Sequence, residues 1–404
     1  MAEELKLPLE GLRLIDLCDE KGVYCTKIFA DLGADVIKVE KPGGDATRNI
    51  GPFKDDDSHP EKSLFFAYNN TNKKSITLNL NSADGQDIFK KLVRRSDTVM
   101  ETGSPGYMAS LGLDYSSLSK LNPELVMTSI TGFGQTGPHR DFKSSDIVSF
   151  AMGGLMYQTG DADMPPLLAG GLQTYYVSSL FAAVATLTAL YSRDATGQGQ
   201  HVDVSIQECI ATLLEVMCFY LYAGRLHRRR GARHLMAIPS DNYPCKDGYW
   251  SICVGPHSAV WVRLVAWMLN DGIDVGELAN PEYEVGSKRW PVIDTKIDPI
   301  IKEWSRQYTK ARIFDEGQRN DVAVAPVSTA KDVAEDPHLD ARGFFEEVSH
   351  PVIGTAKYPG VPWRLPKGHM TRPAPLIGEH NREVYQALGL SNEDLIILKG
   401  AGVI

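Results

Sequence analysis

A chain of 404 residues is longer than one compact core usually needs, so two domains are expected. Its 43% hydrophobic and 23% charged residues exclude a disordered or fibrous protein. A net charge of -9 gives no general attraction to nucleic acid or anionic membrane, although local basic pockets can still hold an anionic cofactor.

In chain order, GLRLIDLC is a short branched-apolar run and predicts a buried strand. GVYCTKIFADLGA places Val23, Ile28 and Leu32 at helical intervals and stops at Gly33. DVIKVEKPGG predicts a second strand closed by Pro42, which completes a βαβ unit. The pattern continues with a strand in KKSITLNLN, a Ser-capped helix in SADGQDIFKKLVRRS and a strand in DTVMETG. YSSLSKLNPELVMTSITGFG repeats helix, turn and strand, so the first half reads as α/β, doubly wound or close to it. No GxGxxG fingerprint is present, and the sheet alone does not imply a dinucleotide. The Gly-rich GFGQTGP reads first as a turn after a strand, and only second as a phosphate cradle.

From Leu172 to Leu190 the sequence is apolar but carries Gln173, Thr174, Ser178, Ser179, Thr186 and Thr188, which favours a buried helix over a membrane span. DATGQGQ then predicts a turn-rich break, HVDVSI a strand and ECIATLLEVMCFYLYAG one amphipathic helix. AGRLHRRRGARH concentrates Arg225, Arg228, Arg229, Arg230 and Arg233, as a solvated connection would; a phosphate-binding or partner-binding role is the other reading. NYPCKDGYWSICV opens a smaller unit with a hairpin signal, which Trp250, Trp261 and Trp267 are expected to pack. Residues 322–366 read as extended chain with short turns, and the C-terminus as two helical pieces. The expected division is 1–222 for the first part of a large domain, 223–238 for an Arg-rich linker, 239–325 for a small domain and 326–404 for a return linker and the rest of the large domain.

Cys18, Cys25, Cys209, Cys218, Cys245 and Cys253 lack CxxC pairing and read as free thiols of a reducing cytosol. His234 and His257 have no metal-ligand spacing, so no metal is expected. The start MAEELKLPLEGLRL carries no secretory apolar region, and a cytoplasmic protein is expected. Asp16, at the end of the first strand, is expected to anchor the following turn.

LEGLRLIDL, FADLGADVIKVEKPGGDATR, NKKSITLNL, LNPELVMTSITGFGQTGP, DATGQGQHVDVSIQE, DPHLDARGFFEEVSHPVIGTAKYPGVP and IGEHNREVYQALGL follow one another in an order that resembles the class III CoA-transferase family. The resemblance implies a Rossmann-like large domain made from both chain ends, a smaller inserted domain and two subunits threaded through one another. It implies no covalently bound cofactor, with a coenzyme A thioester as substrate. In the family an Asp carboxylate attacks the acyl-CoA carbonyl, expelling CoA thiolate and leaving a mixed anhydride. The thiolate returns to form an aspartyl thioester and releases the first acid, and the acceptor acid then runs these steps in reverse.

Aligned on Thr196–Gly199, that Asp falls at Tyr175, and there is no acid between Asp163 and Asp194. A phenol of ordinary pKa about 10 stays protonated at neutral pH and cannot form the anhydride. The family's VENFRPG stands as METGSPG, with Thr102 in place of Asn, and a later Arg is Ser110. Ser145 and Phe150 replace the His of the racemase branch and a Gln, while Asp146 remains as a pocket-edge acid. The resemblance carries CoA contacts to Lys21, Lys41, Arg48, Leu78, Asn79, Leu80, Asn81, Thr102, Lys143 and Asp146, as a weak or vestigial site. With no catalytic residue of its own, the chain is expected to pair with a homologous subunit that supplies the nucleophilic Asp, and to meet acyl-CoA and carboxylate substrates but neither nucleic acid nor membrane. A stand-alone enzyme using another residue and a non-enzymatic CoA-binding regulator are the alternatives.

Overall fold

β1 (Arg13–Leu17), β2 (Asp35–Glu40), β3 (Lys74–Thr77), β4 (Thr98–Glu101), β5 (Val126–Thr131) and β6 (His201–Ser205) form one sheet. This is a computed structural model, and it describes residues 6–215, 217–234, 237–256, 258–365 and 371–404. Every neighbouring pair in the sheet is parallel, in the order β3-β2-β1-β4-β5-β6. The chain starts in the middle, builds outward through β2 and β3, then returns to the other side of β1 for β4. Between β1 and β4 the direction of winding reverses, and in such sheets that reversal opens a crevice at the carboxyl ends of the strands.

Helices α1 (Val23–Asp31), α2 (Leu64–Asn69), α3 (Ala83–Val93), α4 (Tyr107–Ser110) and α5 (Tyr115–Leu118) fill the connections. The local signals act as expected. Gly33, at φ +100, follows the end of α1, and the Ser82 hydroxyl accepts from Gly85 N at the start of α3. A Cβ on Gly85 would lie 2.0 Å from the Asn79 carbonyl, so this turn admits no side chain there.

α6 (Asp146–Met152), α7 (Gln173–Thr196) and α8 (Ile206–Thr212) complete the N-terminal part of the large unit. Ala182, Ala183 and Ala189 are buried small residues of α7 that let it lie close to its neighbours, and the Thr186 hydroxyl bonds that of Thr128 on β5 at 2.7 Å. Among the described residues α7 alone is long and apolar enough to cross a membrane, but half of its most apolar window is buried in the protein. The expected break at DATGQGQ begins later than anticipated: α7 runs to Thr196 and ends where Gly197 takes φ +69. The single amphipathic helix expected over 208–224 is instead α8 followed by a separate helix, Met217–Ala223. The chain leaves the large unit near residue 218, so no single core supports one continuous apolar stripe there.

Backbone contacts divide the chain into Met1–Leu155, Leu168–Cys218 and Leu339–Ile404 in one unit, and Met156–Leu167 and Phe219–His338 in the other. The stretch expected as a linker, 223–238, thus belongs to the second unit, together with 156–167. Two of its arginines are internal ties rather than solvated charges. Arg229 donates to the carbonyls of Tyr157, Asp161 and Met164, and Arg233 pairs with Asp241, Asp294 and Asp298. The second unit has an antiparallel sheet of β7 (Ser240–Cys245), β8 (Gly248–Cys253) and β9 (Val324–Pro326), and its core holds Trp250, Trp261, Trp267 and Trp304.

The expected extended chain after residue 322 contains helices at Ala330–Ala334 and Pro337–Ala341 before the hairpin of β10 (Phe345–His350) and β11 (Gly354–Pro359). A capping box between Thr329 and Asp332 starts the first of these, a local signal that the Pro and Gly content masks. The two C-terminal helices lie at Asn381–Ala387 and Asn392–Gly400.

Candidate active site

The carboxyl ends of the first four strands enclose a cavity of about 280 Å³. Lys41, Leu78, Asn79, Leu80 and Asn81 line it, as the resemblance implied, beside Glu40, Asp45, Glu101, Gly103 and Tyr107. A second cavity of about 350 Å³ is lined by Lys21, Thr102 and Lys143 together with Arg140 and Ser144. Gly103 lines both, so the two adjoin.

Their chemistry differs. The first joins apolar side chains and amides to carboxylates, which suits a base and a sugar better than a phosphate. The second gathers cations. Lys21 pairs with Asp19 and Arg140 with Asp141, whereas Lys143 forms no ion pair among the described residues. Such a group suits phosphate oxygens.

The backbone amides of Leu78, Asn79 and Asn81 donate to Glu40 O, Val403 O and the Asn79 side chain. Arg48 is 1% exposed and is held by both oxygens of Glu40, by Glu61 and by the Pro375 carbonyl, over the Phe66 ring. It braces the end of β2, with four of its five N–H donors used inside the protein. The same pairing saturates Glu40, which stands where related sheets place an acid against a ribose hydroxyl.

Behind the strand ends lies a buried charge cluster. The Asp16 carboxylate accepts from Cys18 N, the Thr26 hydroxyl and Lys73 Nζ, fixing the first turn as expected. Burial alone would raise its pKa, but Lys38 and Lys73 hold it below the usual value. The GFGQTGP turn gives the Gln135 amide to the Asp203 carboxylate, so an internal anion already takes the place a phosphate would need. Cys18, Cys25 and Cys209 are buried free thiols. Among the described residues no cluster of ligands could hold a metal; His257 lies outside those residues.

Neither cavity is lined by Tyr175 or Asp146. Asp146 opens α6, and its Oδ1 accepts from both the amide and the hydroxyl of Thr174 at the start of α7. Its Oδ2 is buried without a partner among the described residues. The acid therefore ties two helices together. Tyr175 is 6% exposed and belongs to the core around α1 and α7. Burial pushes its phenol far above the usual range, and the negative charges of Glu20, Asp146 and Asp19 add to this. No ionised oxygen is available from this side chain at neutral pH.

Sequence reasoning passed over Glu101 and Arg140. Glu101 ends β4 inside METGSPG, where attention fell on the following Thr102. It is 4% exposed, and burial pushes its carboxyl up to about 7. The readable signal was an acid closing a buried strand.

The sheet, its reversal point and the paired cavities define an α/β protein with a crevice suited to a phosphorylated nucleotide ligand. Comparison with known proteins narrows this. The profile of CoA-transferase family III matches residues 9–381, and the chain belongs to that family of enzymes. Succinyl-CoA:(R)-benzylsuccinate CoA-transferase subunit BbsE of Thauera aromatica is 34% identical over 93% of both chains. Formyl-CoA:oxalate CoA-transferase of Streptomyces avermitilis is 35% identical over 98% of this chain and 99% of its own. A CAIB/BAIF family protein from Brucella suis has a crystal structure that superposes with a TM-score of 0.85 at 31% identity, covering 95% of this chain and all of that one.

Proposed function

We propose that this chain is the catalytically incomplete subunit of a heteromeric CoA-transferase, interlocked with a homologous chain that contributes the acyl-accepting Asp. The observation that carries the reading is the buried, un-ionised Tyr175 where the family aligns its nucleophile. The chain's part is to complete the assembly and shape the shared site; the two sheet-end cavities would receive the nucleotide end of a CoA thioester, with its phosphates toward Lys143 and Arg140. A relative bearing the name of a subunit, BbsE, supports a two-chain enzyme and suggests succinyl-CoA as donor and (R)-benzylsuccinate as acceptor. The exposed apolar side chains Leu180, Phe181, Val184 and Tyr191 on α7 fit a covering partner. A cytoplasmic setting accords with the free thiols.

The test is to purify the chain alone and together with the homologous product of a neighbouring gene, and to follow CoA exchange between succinyl-CoA and (R)-benzylsuccinate. Exchange is expected only from the pair, at least about 10⁴-fold above the single chain, the scale on which loss of a nucleophile acts. Hydroxylamine trapping during turnover should mark an Asp of the partner and nothing on this chain. Full activity from the single chain would establish a stand-alone enzyme instead, and CoA binding without exchange in either preparation a regulator.

A further inference from the structure

We propose that Glu101 couples occupation of the sheet-end crevice to the uptake of a proton, so that an anionic nucleotide ligand enters together with a hydrogen ion that settles on this carboxyl. The inference rests on reading the crevice as the seat of a CoA thioester.

Glu101 lines the first cavity, and its Oε2 accepts from Gly103 N at 2.6 Å. That peptide belongs to the wall the two cavities share, and a Cβ on Gly103 would lie 3.1 Å from the same oxygen. The carboxyl therefore lies against the wall beyond which, in the adjoining cavity, ligand charge would arrive. Among the described residues it has no cation as ion-pair partner.

The surrounding groups leave it so. From the turn after β1, Lys21 and Asp19 face it but are paired with each other. From β2 and the loop beyond, Glu40 is held by Arg48, Asp45 faces Lys38, and Lys41 is on the rim. The loop after β3 brings only the neutral Asn79 and Asn81, and α4 brings Tyr107. From β5 the Ser129 hydroxyl faces the carboxyl, and that hydroxyl meets His201 Nε2 of β6 at 2.9 Å. Burial keeps that imidazole below its ordinary pKa. Lys73, brought down to about 8 by burial, also titrates near neutrality, but it is bonded to Asp16 away from the cavity lining.

A buried acid without a cation pays for its charge in lost hydration, consistent with a carboxyl raised to about 7. Phosphate charge in the same crevice raises it further, so the complex holds its proton to higher pH than the free protein. Well below pH 7 the carboxyl is neutral in both states and adds no pH dependence to binding. As pH rises through 7 the free protein loses the proton first, and affinity falls by up to about tenfold per pH unit until the complex loses it too.

The experiment is calorimetric titration of the full chain with coenzyme A between pH 6 and 9, in two buffers of different ionisation enthalpy. Wild type should take up a proton, approaching one per ligand, between pH 7 and 8. Glu101→Gln should lose that uptake and, with it, the part of the fall in affinity between pH 7 and 8 that the carboxyl causes in wild type. Infrared difference spectra of wild type against Glu101→Gln, without ligand, should show a protonated carboxyl that disappears as pH passes through 7. Coenzyme A binding with a proton count unchanged by the substitution would overturn the inference alone. No binding of coenzyme A at any pH would overturn the reading of the crevice and the inference with it. An infrared titration with no carboxyl near neutrality would overturn the inference whatever the ligand does.

Discussion

The sheet-end crevice and the start of α7 both bring acids near buried surface, and they treat those acids in opposite ways. At the crevice the walls stay open, and Glu101, Lys41 and Lys143 line space that a ligand could enter. At the start of α7 the space is closed: an aromatic ring fills it, and Asp146 turns inward to Thr174. The contrast teaches that one sheet can keep open space at its strand ends while a neighbouring helix start is packed shut. A cavity needs only a rim of suitable side chains, whereas covalent chemistry needs one oxygen in one charge state.

The comparison breaks most visibly at the brace beneath the crevice. Arg48→Ala leaves Glu40 and Glu61 without their buried cation, and loss of one partner of such a pair costs about 3–5 kcal/mol. Chemical denaturation should register that loss. An effect below about 1 kcal/mol would mean that Arg48 is free to serve a ligand after all. At the open rim the expectation reverses. Lys143→Ala should change stability by less than about 0.5 kcal/mol, yet weaken coenzyme A binding about tenfold, a change of about 1.4 kcal/mol. Equal binding by wild type and variant would move the phosphates elsewhere. The smallest effect belongs to Tyr175→Phe, because the ring fills space and the phenol has no chemical duty in the proposed reading. Stability and the exchange rate of the assembled enzyme should both stay within about twofold of wild type. A collapse of exchange in this variant would restore Tyr175 to the mechanism.

Legibility differed between these regions for a physical reason. Strand and helix signals are local: the alternation of buried runs with Gly33 and Ser82 at helix ends predicted the parallel sheet segment by segment. The motif that placed Lys41 and residues 78–81 together was equally readable, since both follow strand ends. The bracing contacts of Arg48 could not be read, because its charge is visible in sequence while its partners Glu61 and Pro375 are remote in the chain. Glu101 was passed over because its significance comes from burial and the absence of a facing cation. The short helices after Thr329 were hidden by composition, although their capping box was written in four residues.

The sequence by itself determined the strands of the main sheet, the family and the absence of an acid between Asp163 and Asp194, because periodicity, turn chemistry and residue identity are properties of the chain. Only the tertiary structure decided which charges face a cavity and which neutralise one another. Hydration and Coulomb energy depend on distances between residues far apart in sequence, and folding sets those distances: it closed Arg48 onto Glu40, left Lys143 open and raised the pKa of Glu101.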